Sequence, residues 1–213
     1  MRCWTTRTFP WLTSQIIEVG HATDVYALRV NFIGELGWEL HFPIEYANSL
    51  FEQIFAAGAE FGIGMAGMRA MESMRLEKSY RMWGSDLGVD YSPHEASLDR
   101  FVRMNQGDFI GKAALERQVA AGIPKRFVTL EIHGVTDADP LGNEPLYANG
   151  KLAGRATAGY CRHVLGKSLA LGYIDTAHSE LGTELEIAIL GQRKQATVLI
   201  ESPLDPEHKK LRA

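Results

Sequence analysis

The chain has 213 residues, 46% of them hydrophobic and 23% charged, with a formal charge of -4 and a pI near 6.0. That length builds one large domain or two small ones, and the composition excludes a largely disordered chain. The mildly acidic balance with scattered Lys and Arg leaves no footprint for duplex nucleic acid, and no apolar run nears the ~18 residues of a membrane span. The opening MRCWTTRTFPW has no signal-peptide apolar stretch. Cys3 and Cys161 stand in no metal or redox spacing, so no disulfide framework is expected and a reducing, cytoplasmic setting is the default.

Residues 1–22 are poorly periodic, include Pro10, and read as an extended lead-in. Val25, Ala27 and residues 28–32 are β-prone, Gly34-Glu35-Leu36-Gly37 supplies a turn, and residues 38–42 make a second short strand ended by Pro43. A hairpin is the natural expectation. Residues 45–60 carry Tyr46, Leu50, Ile54 and Phe55 at near-helical spacing. A second helix over 69–80 would bury Met68, Met71, Met74 and Leu76 and leave Arg69, Glu72 and Arg75 on its other faces. Tyr91-Ser92-Pro93 marks a turn, residues 94–101 a short helix, and residues 112–121 a helix stopped by Gly122 and Pro124. After Pro124, six short β-prone runs between 127 and 200 alternate with Gly, Asn, Asp or Pro. That rhythm predicts a small antiparallel barrel or sandwich. The expected class is α+β: a lead-in over 1–22, an α+β segment over 23–121 and an all-β module over 126–213.

Gly62-Ile63-Gly64-Met65-Ala66-Gly67 is a literal G-x-G-x-x-G. A dinucleotide site needs that pattern directly after a strand, whereas the preceding residues here are helical, so it reads as a connection between helices. Glu35 falls on the hairpin turn and Glu39 inside the strand, on the face opposite Trp38 and Leu40. A strand carboxylate either points to water or offers two acceptor oxygens to the paired N–H donors of a heterocycle. Arg75 is suited to an internal ion pair or to an anionic ligand. His94-Glu95 resembles a fragment of a zinc-deaminase signature but lacks its P-C-x-x-C partner, so no metal site is expected. Cys161, between Tyr160 and Arg162-His163, reads as a structural thiol in a strand.

Taken in order, these segments resemble the glycine-cleavage T-protein (aminomethyltransferase) family. Residues 30–40 (VNFIGELGWEL) resemble its "xGELGWEL" hairpin; residues 74–87 (MRLEKSYRMWGSDL) resemble its "RLEKGYR..WG.DL". Residues 92–98 (SPHEASL) and 108–115 (DFIGKAAL) match "TPxEAGL" and "DFIGKxAL", and residues 150–154 and 166–174 match the C-terminal barrel. Trp38 and Lys78-Ser79-Tyr80 lean towards the C-terminal half of dimethylglycine and sarcosine dehydrogenases.

The resemblance implies a tetrahydrofolate site in which Glu39 hydrogen-bonds the pterin and Arg69 or Arg75 meets the pteridine or the glutamyl tail. It implies one-carbon transfer from a small amine donor, with no catalytic residue assigned within these residues. An FAD is implied only if a separate or upstream flavin domain exists. Two departures stand out. Met71 occupies the position of a family arginine, and nothing before Thr23 matches the family's N-terminal segment, which holds the acidic residue credited with activating the folate amine. The expectation is a truncated module, with its open wall met by self-association or by the missing N-terminal domain. The rival expectations are a non-catalytic folate-binding or structural fragment and a folate-dependent demethylase.

Overall fold

The computed structural model describes residues 7–134, 138–161 and 164–212. The chain divides into two compact units, one formed by Met1–Met71 with Glu207–Ala213 and the other by Glu72–Pro206.

In the first unit, β1 (Ser14–Val19), β2 (Ala22–Leu28) and β3 (Glu39–His41) form an antiparallel sheet in that order. β1 falls inside the stretch expected to be an extended lead-in. Its polar Gln15 and Glu18 mask the strand pattern, and it is fixed by pairing, Ile16 with Tyr26 and Ile17 with Val25. Gly20, at φ 59°, supplies the left-handed residue that lets Val19 turn back to face Ala22.

β2 and β3 form the expected hairpin, but residues 29–38 join them in place of a tight turn. The physical reason is local. The Asn31 side chain accepts hydrogen bonds from the N–H groups of Ile33 and Gly34, bending the backbone away from the ladder. Arg29 is buried and donates to the Phe9 carbonyl at 2.6 Å, its guanidinium 5.7 Å from the centre of the Trp38 ring.

Helix α1 (Ala47–Gly58) covers one sheet face. Leu50 and Ile54 pack there with Ile17, Val25 and Leu40. Gly62, left-handed at φ 72°, ends the helical stretch, and the glycine-rich segment runs on to α2 (Met68–Glu77). The G-x-G-x-x-G therefore links two helices.

The burial of α2 differs from the expected methionine stripe. Met68 is 67% exposed, whereas Ser73, Arg75, Leu76 and Glu77 are buried. Hydropathy alone assigns charged residues to solvent. Here they go inside because partners wait for them.

The second unit carries α3 (Lys112–Ala121) and six strands: β4 (Lys125–Ile132), β5 (Pro145–Ala148), β6 (Lys151–Cys161), β7 (Ser168–Asp175), β8 (Glu184–Ile189) and β9 (Gln192–Leu199). They close into an antiparallel barrel in the order β4-β7-β6-β5-β8-β9. Leu130, Leu146, Ile174, Ile187 and Val198 fill it. A second cluster, built on Phe127, Leu171 and Tyr173, packs Leu76 and Ala96 against the outside of β4 and β7. β7 is thus buried on both faces, which explains its almost unbroken apolar run.

Small residues permit the tightest strand contact. A Cβ on Gly154 would stand 2.1 Å from the Tyr173 carbonyl oxygen, and one on Gly172 would stand 2.5 Å from that of Arg155. The short helix expected over 94–101 is a series of turns ending in a single 3-10 turn at Asp99–Phe101. Ser92 and Glu95 cap each other there: the Ser92 hydroxyl accepts from the Glu95 N–H, and the Glu95 carboxylate accepts from the Ser92 N–H. Cys3, Arg162 and His163 lie outside the described residues.

Candidate functional site

Alternation along the three-stranded sheet separates two faces. Val25, Ala27 and Leu40 turn towards α1. The other face is arranged in two cross-strand rows, Ile16–Tyr26–His41 and Ser14–Leu28–Glu39. Ile16 is 58% and Tyr26 52% exposed, so a patch of apolar and aromatic surface meets solvent there. Glu39 stands at its edge, half-exposed, with His41 Nε2 at 3.3 Å from its Oε2. Glu35 sits in the connecting loop and pairs with Lys210 at 3.0 Å. Arg69 is exposed in the first turn of α2. Glu39 and Arg69 belong to the first unit, Arg75 to the second.

Arg75 is almost fully buried and held by an internal ion-pair network. Its Nε donates to Glu72 at 2.7 Å; its Nη1 donates to the Tyr80 carbonyl at 2.9 Å and to Asp86 at 2.6 Å. Asp86 is buried too. It accepts from the Met82 N–H at 2.8 Å and from the Thr157 hydroxyl on β6, and its backbone carbonyl accepts from the Tyr173 hydroxyl at 2.8 Å.

Tyr91 stacks on Tyr173, with ring centres 3.6 Å apart and planes 7° apart. Burial pushes the Tyr173 phenol well above the ordinary tyrosine range, and the neighbouring Tyr91 adds to the rise. A cleft of about 290 Å³ opens beside this network, lined by Glu72, Arg75, Met82, Ser85, Thr157 and Tyr160. Two carboxylates already neutralise the arginine, so the network's evident work is to join the segment after α2 to the barrel.

The residues that follow Leu76 extend this joint. Glu77 Oε1 accepts from the N–H groups of Val164 and Leu165. Lys78 Nζ donates to the carbonyls of Leu204 and Asp205 at 3.0 and 2.7 Å. Ser79 shares a 2.6 Å hydrogen bond with Thr129 and accepts from the Ser202 N–H.

Nearby, His94 and Arg126 both reach Asp99, at 2.8 and 2.7 Å. Burial opposes ionisation of Asp99, but the hydrogen bonds from His94 and Arg126 prevail and hold its carboxyl below the usual value. Among the described residues, no group of three His, Cys, Asp or Glu is arranged to hold a metal ion. Among the described residues, no helix is long and apolar enough to cross a membrane.

Sequence reasoning placed Glu39 on the face opposite Leu40, which is where it stands. It missed His41 as Glu39's neighbour, although period-2 spacing was the available signal. It also missed Asp86 as the partner of Arg75, for which no local periodicity exists.

Residues 2–106 match the family model of the GCVT N-terminal domain, and residues 125–205 match the glycine cleavage T-protein C-terminal barrel domain. Mouse mitochondrial dimethylglycine dehydrogenase is 42% identical over 181 residues, covering 84% of this chain and 21% of that protein. The aminomethyltransferase of Moorella thermoacetica is 36% identical over 191 residues, covering 90% of this chain and 50% of that one. The crystal structure of the glycine cleavage system aminomethyltransferase T from Bartonella henselae superposes with a TM-score of 0.78 at 24% identity, over 86% of this chain and 50% of that one. The chain therefore spans about a fifth of that dehydrogenase and half of each of these aminomethyltransferases. The fold, the barrel and the two family models agree, and the chain belongs to the glycine-cleavage T-protein (aminomethyltransferase) family.

Proposed function

We propose that the chain binds tetrahydrofolate on the open sheet face of its first unit and serves one-carbon transfer from a small amine donor. The observation that carries this reading is the half-exposed Glu39 carboxylate at the edge of the Ile16–Tyr26–Leu28 surface. A pterin offers a flat aromatic body for such a surface and adjacent N–H donors for two carboxylate oxygens, so the residues present fit the group. The chemistry it supplies when bound is a nucleophilic amine nitrogen that accepts a one-carbon unit.

The chain's own part begins with orientation: Glu39 fixes the heterocycle edge, and Tyr26 and Ile16 keep water from its face. Arg69, exposed at the start of α2, would meet the anionic tail. Arg75 serves through its ion pairs, holding the end of α2 in place.

The test is calorimetric titration of tetrahydrofolate into the 213-residue chain and two variants. A carboxylate accepting charge-assisted hydrogen bonds contributes about 1.5 to 3 kcal/mol, so Glu39→Gln should weaken binding more than ~10-fold. Glu35→Gln, in the connecting loop, should leave binding nearly unchanged. Equal losses in both variants would reject Glu39 as the contact, and absent binding by the parent would reject the folate reading. Turnover is measured separately, and binding without methylene transfer selects a non-catalytic folate-binding module.

A further inference from the structure

We propose that the second unit binds a small aliphatic α-amino acid, as its zwitterion, in a cleft where the Arg81–Glu201 pair meets both of the ligand's charges. Every residue of this cleft belongs to the second unit, so the proposal does not rest on the folate reading of the first. The cleft arises at a seam of the barrel. β4 and β9 pair only from Thr129–Leu199 to Ile132–Ala196. Before Thr129, β4 continues along β7 alone, and the chain after Leu199 leaves the ladder. The wedge between them encloses about 260 Å³.

Arg81 enters this wedge. Its side chain is 6% exposed, with the guanidinium carbon 4.6 Å from the centre of the Phe127 ring. Nε donates to the Ala96 carbonyl at 2.9 Å, and Nη1 donates to Glu201 Oε1 at 2.8 Å and to the Ser79 carbonyl at 3.3 Å. Among the described residues Nη2 has no acceptor, and it is not sealed from solvent either. A guanidinium buried to this degree, with unused N–H groups beside a cavity, is suited to holding a carboxylate. Glu201 likewise uses Oε1 for Arg81 and leaves Oε2 without a donor. With Arg100 Nη1 3.9 Å from the same Oε1, the three side chains carry one net positive charge, which draws in a carboxylate.

These atoms fix the ligand's chemistry. A carboxylate takes the free guanidinium donors, and an ammonium takes the free carboxylate oxygen. Nη1 and Oε1 stand 2.8 Å apart, so the ligand's own charges must lie close together. An α-amino acid meets that condition, and an amino acid with a long spacer does not. Val128, Leu181, Val198 and Ile200 supply apolar wall, which suits an aliphatic side chain. A water's share of liquid volume is about 30 Å³, so the cleft holds roughly nine non-hydrogen atoms, the size of valine or leucine.

The experiment titrates L-valine into the isotope-labelled full chain and follows its amide resonances by two-dimensional NMR. The comparison ligands are δ-aminovalerate, an isomer of valine with its charges far apart, and isovalerate, which lacks the ammonium. Saturable shifts are expected at Val128, Leu181 and Val198, at about millimolar affinity for so open a cleft. Both comparison ligands should bind at least ~10-fold more weakly, the loss expected for a missing charge-assisted contact. Glu201→Gln keeps an oxygen for Arg81 and removes the charge. Leu181 is 69% exposed, so Leu181→Asp spares the fold while setting a carboxylate against the ligand's own. Each variant should weaken valine binding at least ~10-fold, with the spectrum away from the cleft unchanged. No saturable shift up to ~10 mM valine, or shifts centred outside the cleft, would overturn the proposal. So would equal affinity for either comparison ligand, or unaltered affinity in either variant.

Discussion

Arg75 has two carboxylate partners, and the structure predicts that they differ greatly in worth. Asp86 is fully buried; its side chain takes the Arg75 guanidinium, the Met82 N–H and the Thr157 hydroxyl. Asp86→Ala leaves a buried guanidinium short of a counter-charge and the Met82 N–H without its acceptor, while the Thr157 hydroxyl keeps the Leu171 carbonyl at 3.3 Å. Removing one partner of a buried pair costs about 3 to 5 kcal/mol, and an orphaned buried donor about 1 to 3 more. Glu72, still 2.7 Å from Nε, offsets part of this, so a loss of about 4 kcal/mol is expected. Glu72 itself is 28% exposed and three residues before Arg75 on the same helix. Such a pair contributes about 0.5 kcal/mol, so Glu72→Ala should be nearly silent. Urea unfolding followed by far-ultraviolet circular dichroism measures both, with the midpoint shift converted through a common slope. If the two variants fall within about 1 kcal/mol of each other, the burial argument for Asp86 is wrong.

Gly154→Ala should destabilise the barrel by about 1 to 3 kcal/mol, because its new methyl group meets the Tyr173 backbone and not a movable side chain; Gly150→Ala is no control, since its φ of 76° brings strain of its own, so Ala153→Gly serves instead and a smaller effect there is expected in the same urea assay. Tyr173→Phe removes a buried hydrogen bond to the Asp86 carbonyl and should cost about 1 to 2 kcal/mol at neutral pH. Burial raises the folded-state pKa of Tyr173, so its contribution is complete below the unfolded value of about 10 and is lost as pH rises above it. Tyr173→Phe should therefore flatten the alkaline decline in stability, and an unchanged slope above about pH 10 would show that another group causes it.

The barrel was legible because its strands are short, β-prone and punctuated, and all six of its runs became strands. β7 was the clearest, since burial on both faces leaves no polar residue to interrupt the pattern. β1 was not legible, because only Ile17 and Val19 of its residues turn partly inward, and two positions define no period. The hairpin was found but its turn was not, since the bend at Asn31 depends on side-chain hydrogen bonds that composition does not register. In α2 the helix was evident and its orientation was not. An internal ion pair was one of two readings of Arg75, but its partner Asp86, like the N–H groups of Val164 and Leu165 that meet Glu77, is brought up only by tertiary structure. Glu39 was legible for the opposite reason: its placement needs only the alternation of a three-residue strand.

The triplet Glu77-Lys78-Ser79 also sets an order of events during synthesis. Its polar groups are met by residues 164 and 165, by Thr129 and Ser202, and by the carbonyls of Leu204 and Asp205. A ribosome extends the chain from the amino end, so the triplet emerges long before most of these partners exist. Until they arrive, a carboxylate and an ammonium must stay hydrated, and the segment cannot take its buried place without leaving charge unmatched. The second unit is thus built to close late, on contacts of long sequence separation that are slow to form. Nascent chains halted before Leu204 should display an open, protease-sensitive joint after α2, and they are the form on which a holding chaperone would act.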